Sequence, residues 1–341
     1  MWHLATTHRS LSRLFVVFLV GVSFIGPSLQ VTTGDAYRVL SNPDDGGCDD
    51  RSNVPQLLSE AVGLSQAALT AIETAQQNPS LSILTGSKRK DRKRILNTLE
   101  SFFGVESSGN LLRVTNTDVL SEVHTTFKAI VDFAKTGSKD WRFACNDKWL
   151  KVAEETLPND PENKEKGEPI PIQDTIRFQH TSWVWVDKDY PGLEGGWYVD
   201  PTKFKPPGTK EGLCSQNPRE GAFVMRTNKV LTICPNTFGT IPAADGKPER
   251  KLYQTVPPST TSNVDTSGGG FLDGYFSVSS LLVHEMSHQL SATTDDVGYG
   301  FENCQKGRTN GKTNADSYAL FALAMWLGNY DWSTGAARTP S

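Results

Sequence analysis

His284, Glu285, Met286, Ser287 and His288 read H-E-x-x-H, the spacing in this chain with the clearest chemistry. On a helix, side chains at i and i+4 share a face, so His284 and His288 can offer imidazole nitrogens to one cation while Glu285 points beside it. A catalytic zinc takes three protein ligands and keeps a fourth position for water, whose pKa falls towards neutrality. The competing interpretation is a buried helix carrying two core histidines. A third ligand decides between them. The chain has six histidines and none follows His288, and acidic ligands from a nearby loop are the better fit. Ser291 and Thr294 occupy the positions where another type of zinc site carries Gly and a third His. Glu302 sits in a Gly-flanked stretch of weak helical character, whereas Asp295 and Asp296 lie a short turn away.

The elements that must hold these groups follow from periodicity. Phe276, Val278, Leu281, Leu282 and Val283 lead into the H-E-x-x-H run and Leu290 follows it, which makes the run part of an apolar helix. Upstream, Leu57, Leu58, Ala61, Leu64, Ala67, Ala68, Ala71 and Ile72 recur at helical spacing up to Asn78 and Pro79. A second helix is predicted from about Asp91 to Phe103. A third is predicted from Asp118 to Lys135, capped by Asn116 or Thr117, with Val119, Leu120, Val123, Phe127, Ile130 and Val131 as its buried stripe. The run from Lys88 to Arg94 reads as a solvated helix start, with a dibasic processing site or an anion-binding patch as alternatives. Leu157 to Pro171 reads as a loop or hinge, and 254–270 as a flexible segment. Trp183, Val184, Trp185 and Val186, then Tyr190, Pro191 and Gly192, then Trp197, Tyr198 and Val199, predict a hairpin. Its aromatics are expected to pack a sheet face, with a substrate cleft or a glycan site as the alternatives.

Composition bounds the rest. The 341 residues carry a formal charge of -4, with 34 basic against 38 acidic side chains, so nucleic acid is not an expected partner. The longest apolar run, Leu14 to Ile25, follows Arg9 and Arg13 and is too short for a bilayer, which needs about 20 residues. It reads as a secretory signal peptide cut between Gly26 and Thr33, leaving a secreted chain of charge -6 without stable membrane anchoring. Five cysteines in an oxidising compartment leave one over, as a buried thiol or a link in a covalent dimer; a monomer is expected.

The run Ala292, Thr293, Thr294, Asp295, Asp296, Val297, Gly298, Tyr299, Gly300 resembles the G-T-x-x-D-x-x-Y-G motif of the aspzincins, with Ala292 replacing the first Gly. These are the deuterolysin and peptidyl-lysine metalloendopeptidase family of secreted fungal zinc proteases. Asn314 to Ala319 is similar to the family's N-A-D-S-Y-A segment, and Cys145, Asn146, Asp147 to its C-N-D. The resemblance implies one catalytic Zn2+ held by His284, His288 and Asp296, with Asp295 a neighbouring carboxylate. It implies Glu285 as general base, Tyr299 as donor to the oxyanion, and protein or peptide substrates with a preference for basic residues. Asp316 is implied as a border of the substrate pocket; a capping box from Thr313 offers it a structural role instead. Disulfides Cys48 to Cys145 and Cys214 to Cys234 are implied, with Cys304 left over.

The chain departs from the family in the stretch 148–212, which stands where deuterolysins have a short link, in lacking their long propeptide, and in Ala319, where lysine-specific members carry an acid. The resulting expectation is a mainly α fold with a small β region (α+β), zincin-like. It divides into a signal peptide (1–28), an exposed acidic lead-in (29–50), a helical part (51–147), the insertion (148–212), a zinc metallopeptidase core (213–330) and a polar tail (331–341). The rival class is a secreted non-catalytic zinc-binding antigen or effector, against which the retained Glu285 speaks.

Overall fold

The computed structural model describes residues 36–51, 53–77, 86–109, 112–152, 156–157, 170–171, 184–188, 197–198, 213–216, 221–226, 228–241, 250–251, 256, 264 and 270–341. The signal-peptide segment and most of 254–270 lie outside them, as do the tryptophan side chains of the hairpin. The described part is α+β. Helices α1 (Val54–Gln76), α2 (Gly86–Phe103), α3 (Thr117–Thr136), α4 (Val278–Leu290), α5 (Phe301–Lys306) and α6 (Ala315–Trp326) accompany a small mixed sheet. Its strands β1 (Arg38–Val39), β2 (Arg142–Ala144), β3 (Ala222–Met225) and β4 (Val230–Ile233) lie in the order β1-β2-β4-β3. β2 runs parallel to both β1 and β4, and β3 pairs antiparallel with β4 at the edge.

The core forms where apolar stripes meet. α1 packs against α3, α4 and α6, and α4 against α6. Phe102, Phe103, Phe127, Tyr318 and Phe321 interlock with ring centroids 5.2–6.5 Å apart. The turn Arg308–Thr313 presses so closely on α2 that a Cβ on Gly311 would fall 1.8 Å from the Phe102 carbonyl oxygen. Polar ties fix α4 within this core. Ser277 caps its start by accepting from Ser280 N at 3.0 Å. Ser279 Oγ donates to Glu60 of α1 at 2.8 Å, and the buried Tyr37 hydroxyl donates to Gln289 Oε1.

Several expectations change. The lead-in is exposed at its acids but not throughout; Ala36, Tyr37 and Cys48 are buried and β1 joins the sheet. α2 starts at Gly86, taking in the basic run, since Lys and Arg are good helix formers. That run is not simply a solvated start, because Arg92 and Arg94 are buried. Arg92 donates to the Thr74 and Ala75 carbonyls, capping the C-terminus of α1. Asn116 stands before α3 without a side-chain cap and instead bonds Glu106 N and Gly104 O. The tail is docked: Trp332 is buried, Ser101 Oγ donates to Ser333 O, and Phe271 bridges Ala336.

The expected hairpin is present as Val184–Asp187 against Trp197–Tyr198, with Leu150–Val152 as a third strand. Thr156–Leu157 and Ile170–Pro171 close the predicted loop into a two-stranded ribbon. A buried ion pair ties the three-stranded sheet to the core: Arg142 of β2 meets Asp187 with both Nη atoms of its guanidinium, Nη1 at 3.2 Å, and lies over the Trp149 ring. Removing one partner leaves a buried charge unpaired. Asp187→Ala is therefore expected to lower stability by about 3–5 kcal/mol, and the double change Arg142→Met with Asp187→Leu by less. Denaturant unfolding reads both.

Candidate metal centre

α4 delivers both imidazoles on one face, and the segment after it turns back to deliver Asp296. Asp296 Oδ1 lies 2.9 Å from His284 Nε2 and 3.2 Å from His288 Nε2, and the two Nε2 atoms are 3.2 Å apart. Ligands on a tetrahedral ion at bonds of about 2.0–2.1 Å stand about 3.3 Å from one another, so the triangle fits three corners of such a site. Among the described residues this is the group of His, Cys, Asp and Glu side chains that could hold a metal ion. Two nitrogens and one oxygen suit several divalent ions of the first transition row. His284 is 4% exposed at its side chain and Asp296 45%, so the group is walled on the helix side and open on the loop side.

Each imidazole is held from behind. His288 Nδ1 faces the Thr294 carbonyl at 3.3 Å, which directs its Nε2 lone pair at the triangle. His284 Nδ1 has Asp316 Oδ1 at 3.4 Å, a long contact with the same sense. The proton balance shows what this crowding does. Burial disfavours a charged His284, but its bond to the Asp296 carboxylate and its contact with Asp316, with the charges of Glu285 and Asp316, win and raise its pKa to about 10. Burial likewise pushes Asp296 up, and its bonds and charges with the two histidines overcome this to hold it well below the usual carboxylate range. A bound cation would take over what that proton does.

Glu285 is 4% exposed, with Oε1 4.0 Å from His284 Nε2. Burial raises its pKa, the two histidines lower it, and Asp296 raises it again. Tyr299 stacks on His284, centroids 5.9 Å apart and planes 12° apart, while remaining 56% exposed. Val297 is exposed beside it.

The segment carrying Asp296 is set by residues of the N-A-D-S-Y-A stretch. Asn314, buried, accepts from Val297 N and Gly298 N at 3.2 Å and donates back to Gly298 O at 3.0 Å. Asp295 N donates to Thr313 O and Ala315 N to Asp295 O, a parallel bridge that moors the loop to the start of α6. Asp316 accepts from Gly300 N, and Asp273 accepts from Phe301 N at 2.9 Å. Gly300 has φ +78°, where a side chain is strained.

Of the sequence candidates, His284, His288 and Asp296 come together, with Glu285 and Tyr299 against His284. Asp295 does not join them; its Oδ1 accepts from Asp296 N. Glu302 is exposed and pairs with Lys306. Asp316 is 2% exposed and stands behind His284, its carboxylate engaged by His284 and Gly300. The sequence did not flag the Thr294 carbonyl, Asp273 or Arg226, whose guanidinium bonds the His288 and Ser291 carbonyls. Both implied disulfides are present, Cys48 with Cys145 and Cys214 with Cys234, which fits an extracellular protein. Cys304 is a buried free thiol, pushed up to about 12 by burial and then by Asp316. No helix among the described residues is long and apolar enough to cross a membrane.

The chain is expected to take up one divalent ion, and His288→Ala to abolish uptake. Asp316→Asn and Asn314→Ala are expected to weaken it about 10- to 100-fold. Competition with a chromophoric chelator measures all three. Comparison of the chain with models of known protein families, with curated proteins and with solved structures gives no match.

Proposed function

We propose that this chain is a secreted zinc metalloendopeptidase of the aspzincin kind, hydrolysing peptide bonds of protein substrates. The observation that supports this most is the pairing of a half-open His284, His288, Asp296 triangle with a buried Glu285 carboxylate 4.0 Å from one ligand nitrogen. The resemblance of Ala292 to Gly300 and of Asn314 to Ala319 to the aspzincin motifs favours the same reading. When bound, a zinc ion supplies Lewis-acid polarisation and lowers the pKa of a coordinated water.

The side chains divide the remaining tasks. His284, His288 and Asp296 hold the ion and leave its solvent side to substrate. Glu285 accepts a proton from the attacking water and returns it to the leaving amine nitrogen; its buried position raises its basicity for that exchange. Tyr299, stacked on His284 and exposed, donates its hydroxyl to the carbonyl oxygen as charge develops there. Asp316 fixes the ring of His284.

The test is digestion of a basic unfolded protein such as a histone by wild type and Glu285→Gln, each with zinc content determined and repeated with chelator. Wild type is expected to cut, and the variant to keep its zinc and lose at least about 100-fold in rate. Cleavage sites mapped by mass spectrometry report whether basic side chains are preferred. If both proteins bind one zinc and neither cuts, the reading falls and a non-catalytic zinc-binding protein replaces it.

A further inference from the structure

The edge strand β3 packs beside α4. At its start, a Cβ on Gly221 would stand 3.0 Å from Leu281 Cδ2, and just past its end Arg226 reaches the C-terminus of the helix. Arg226 Nε donates to the His288 carbonyl and Nη2 to the Ser291 carbonyl at 2.6 Å. The last carbonyls of a helix have no partner within it and form the negative end of its dipole, so a guanidinium placed there satisfies both needs. One of these two carbonyls belongs to a ligand residue. The other belongs to Ser291, the C-cap from which the chain turns back towards Asp296. Thr294 Oγ1 shares the Ser291 carbonyl at 3.1 Å and also bonds Ser287 O at 2.7 Å, while the Thr294 carbonyl faces His288 Nδ1.

We infer that Arg226 is a positioning residue of the metal centre, whose two-pronged hold on the His288 and Ser291 carbonyls sets the distance between the His288 and Asp296 ligand atoms. The claim rests on the metal reading of the triangle and not on the peptidase reading. A lysine cannot replace the clamp in full, because the fixed fork of a guanidinium spans two carbonyls where an ammonium is a single point.

Arg226→Ala, Arg226→Gln and Arg226→Lys are tested for Zn2+ affinity by chelator competition and for the visible absorption of the Co2+-loaded chain. Thermal unfolding of the metal-free proteins is followed in parallel. Arg226→Ala is expected to lose about 10- to 100-fold in affinity, as for other groups that orient ligands, and to shift the Co2+ bands. Arg226→Lys is expected to fall between, and methylguanidine to restore part of the wild-type spectrum to Arg226→Ala. Wild-type affinity with an unchanged Co2+ spectrum overturns the inference, even where unfolding is altered, since Arg226 is then only a helix cap. Should Arg226→Ala not fold, the Gln and Lys variants carry the same comparison. A wild-type chain that takes up no metal overturns the metal centre and the inference with it. Normal metal uptake without peptidase activity overturns only the proposed reaction.

Discussion

Three ligand atoms held about 3 Å apart, two imidazole nitrogens and one carboxylate oxygen, impose the constraint around which the rest of the structure is arranged. Lone pairs brought this close repel unless a proton or a metal ion lies among them, and side chains free to choose rotamers would move apart. The fold removes that freedom from several sides. α4 is wedged between α1 and α6, its start is capped by Ser277, and both ring Nδ1 atoms face an acceptor. These restraints leave the three side chains few other rotamers, so little ordering entropy would oppose the binding of an ion.

Delivering Asp296 is harder than delivering the histidines, because Asp296 sits on irregular backbone whose amides need partners. The structure supplies them from elements distant in sequence. Asn314 takes two amides and returns a donor, Asp316 takes Gly300 N, and Asp273 takes Phe301 N. A buried amide left without a partner costs about 1–3 kcal/mol, so these side chains decide the path of the loop. The positive φ of Gly300 completes the turn into α5. The N-A-D-S-Y-A stretch consequently contributes to the centre without supplying a ligand.

Legibility in the sequence follows the range of the interaction. Helices α1 and α3 were readable because burial on one face repeats every three or four residues, and His284, Glu285 and His288 because their spacing is local. Asp296, Tyr299 and both disulfides came from the motif resemblance, the spacing alone leaving Asp295 and Asp296 open. What escaped depends on partners far along the chain. The basic run looked solvated, but Arg92 finds the carbonyls ending α1 and Arg94 nears Met325. The tail looked polar, yet Trp332 is buried and Asp331 receives Asn97 Nδ2. Arg226 lies 62 residues from His288 and acts on backbone carbonyls, which leave no trace in residue type.

Charge separates a metal centre from a pair of core histidines. A core pair needs neutral, satisfied surroundings, yet three carboxylates approach these two rings: Asp296 at 2.9 Å, Asp316 at 3.4 Å and Glu285 at 4.0 Å from nitrogens of His284. Glu285 and Asp316 are both almost fully buried. Burying carboxylates together is costly unless positive charge compensates them, and one protonated imidazole compensates only in part. A dication among the ligand atoms meets the charge more fully than a proton does, and it removes the need for either imidazole to be charged. Glu285 shares that burial, which is the first cause of its raised pKa; the Asp296 charge adds to it and the two histidines oppose it.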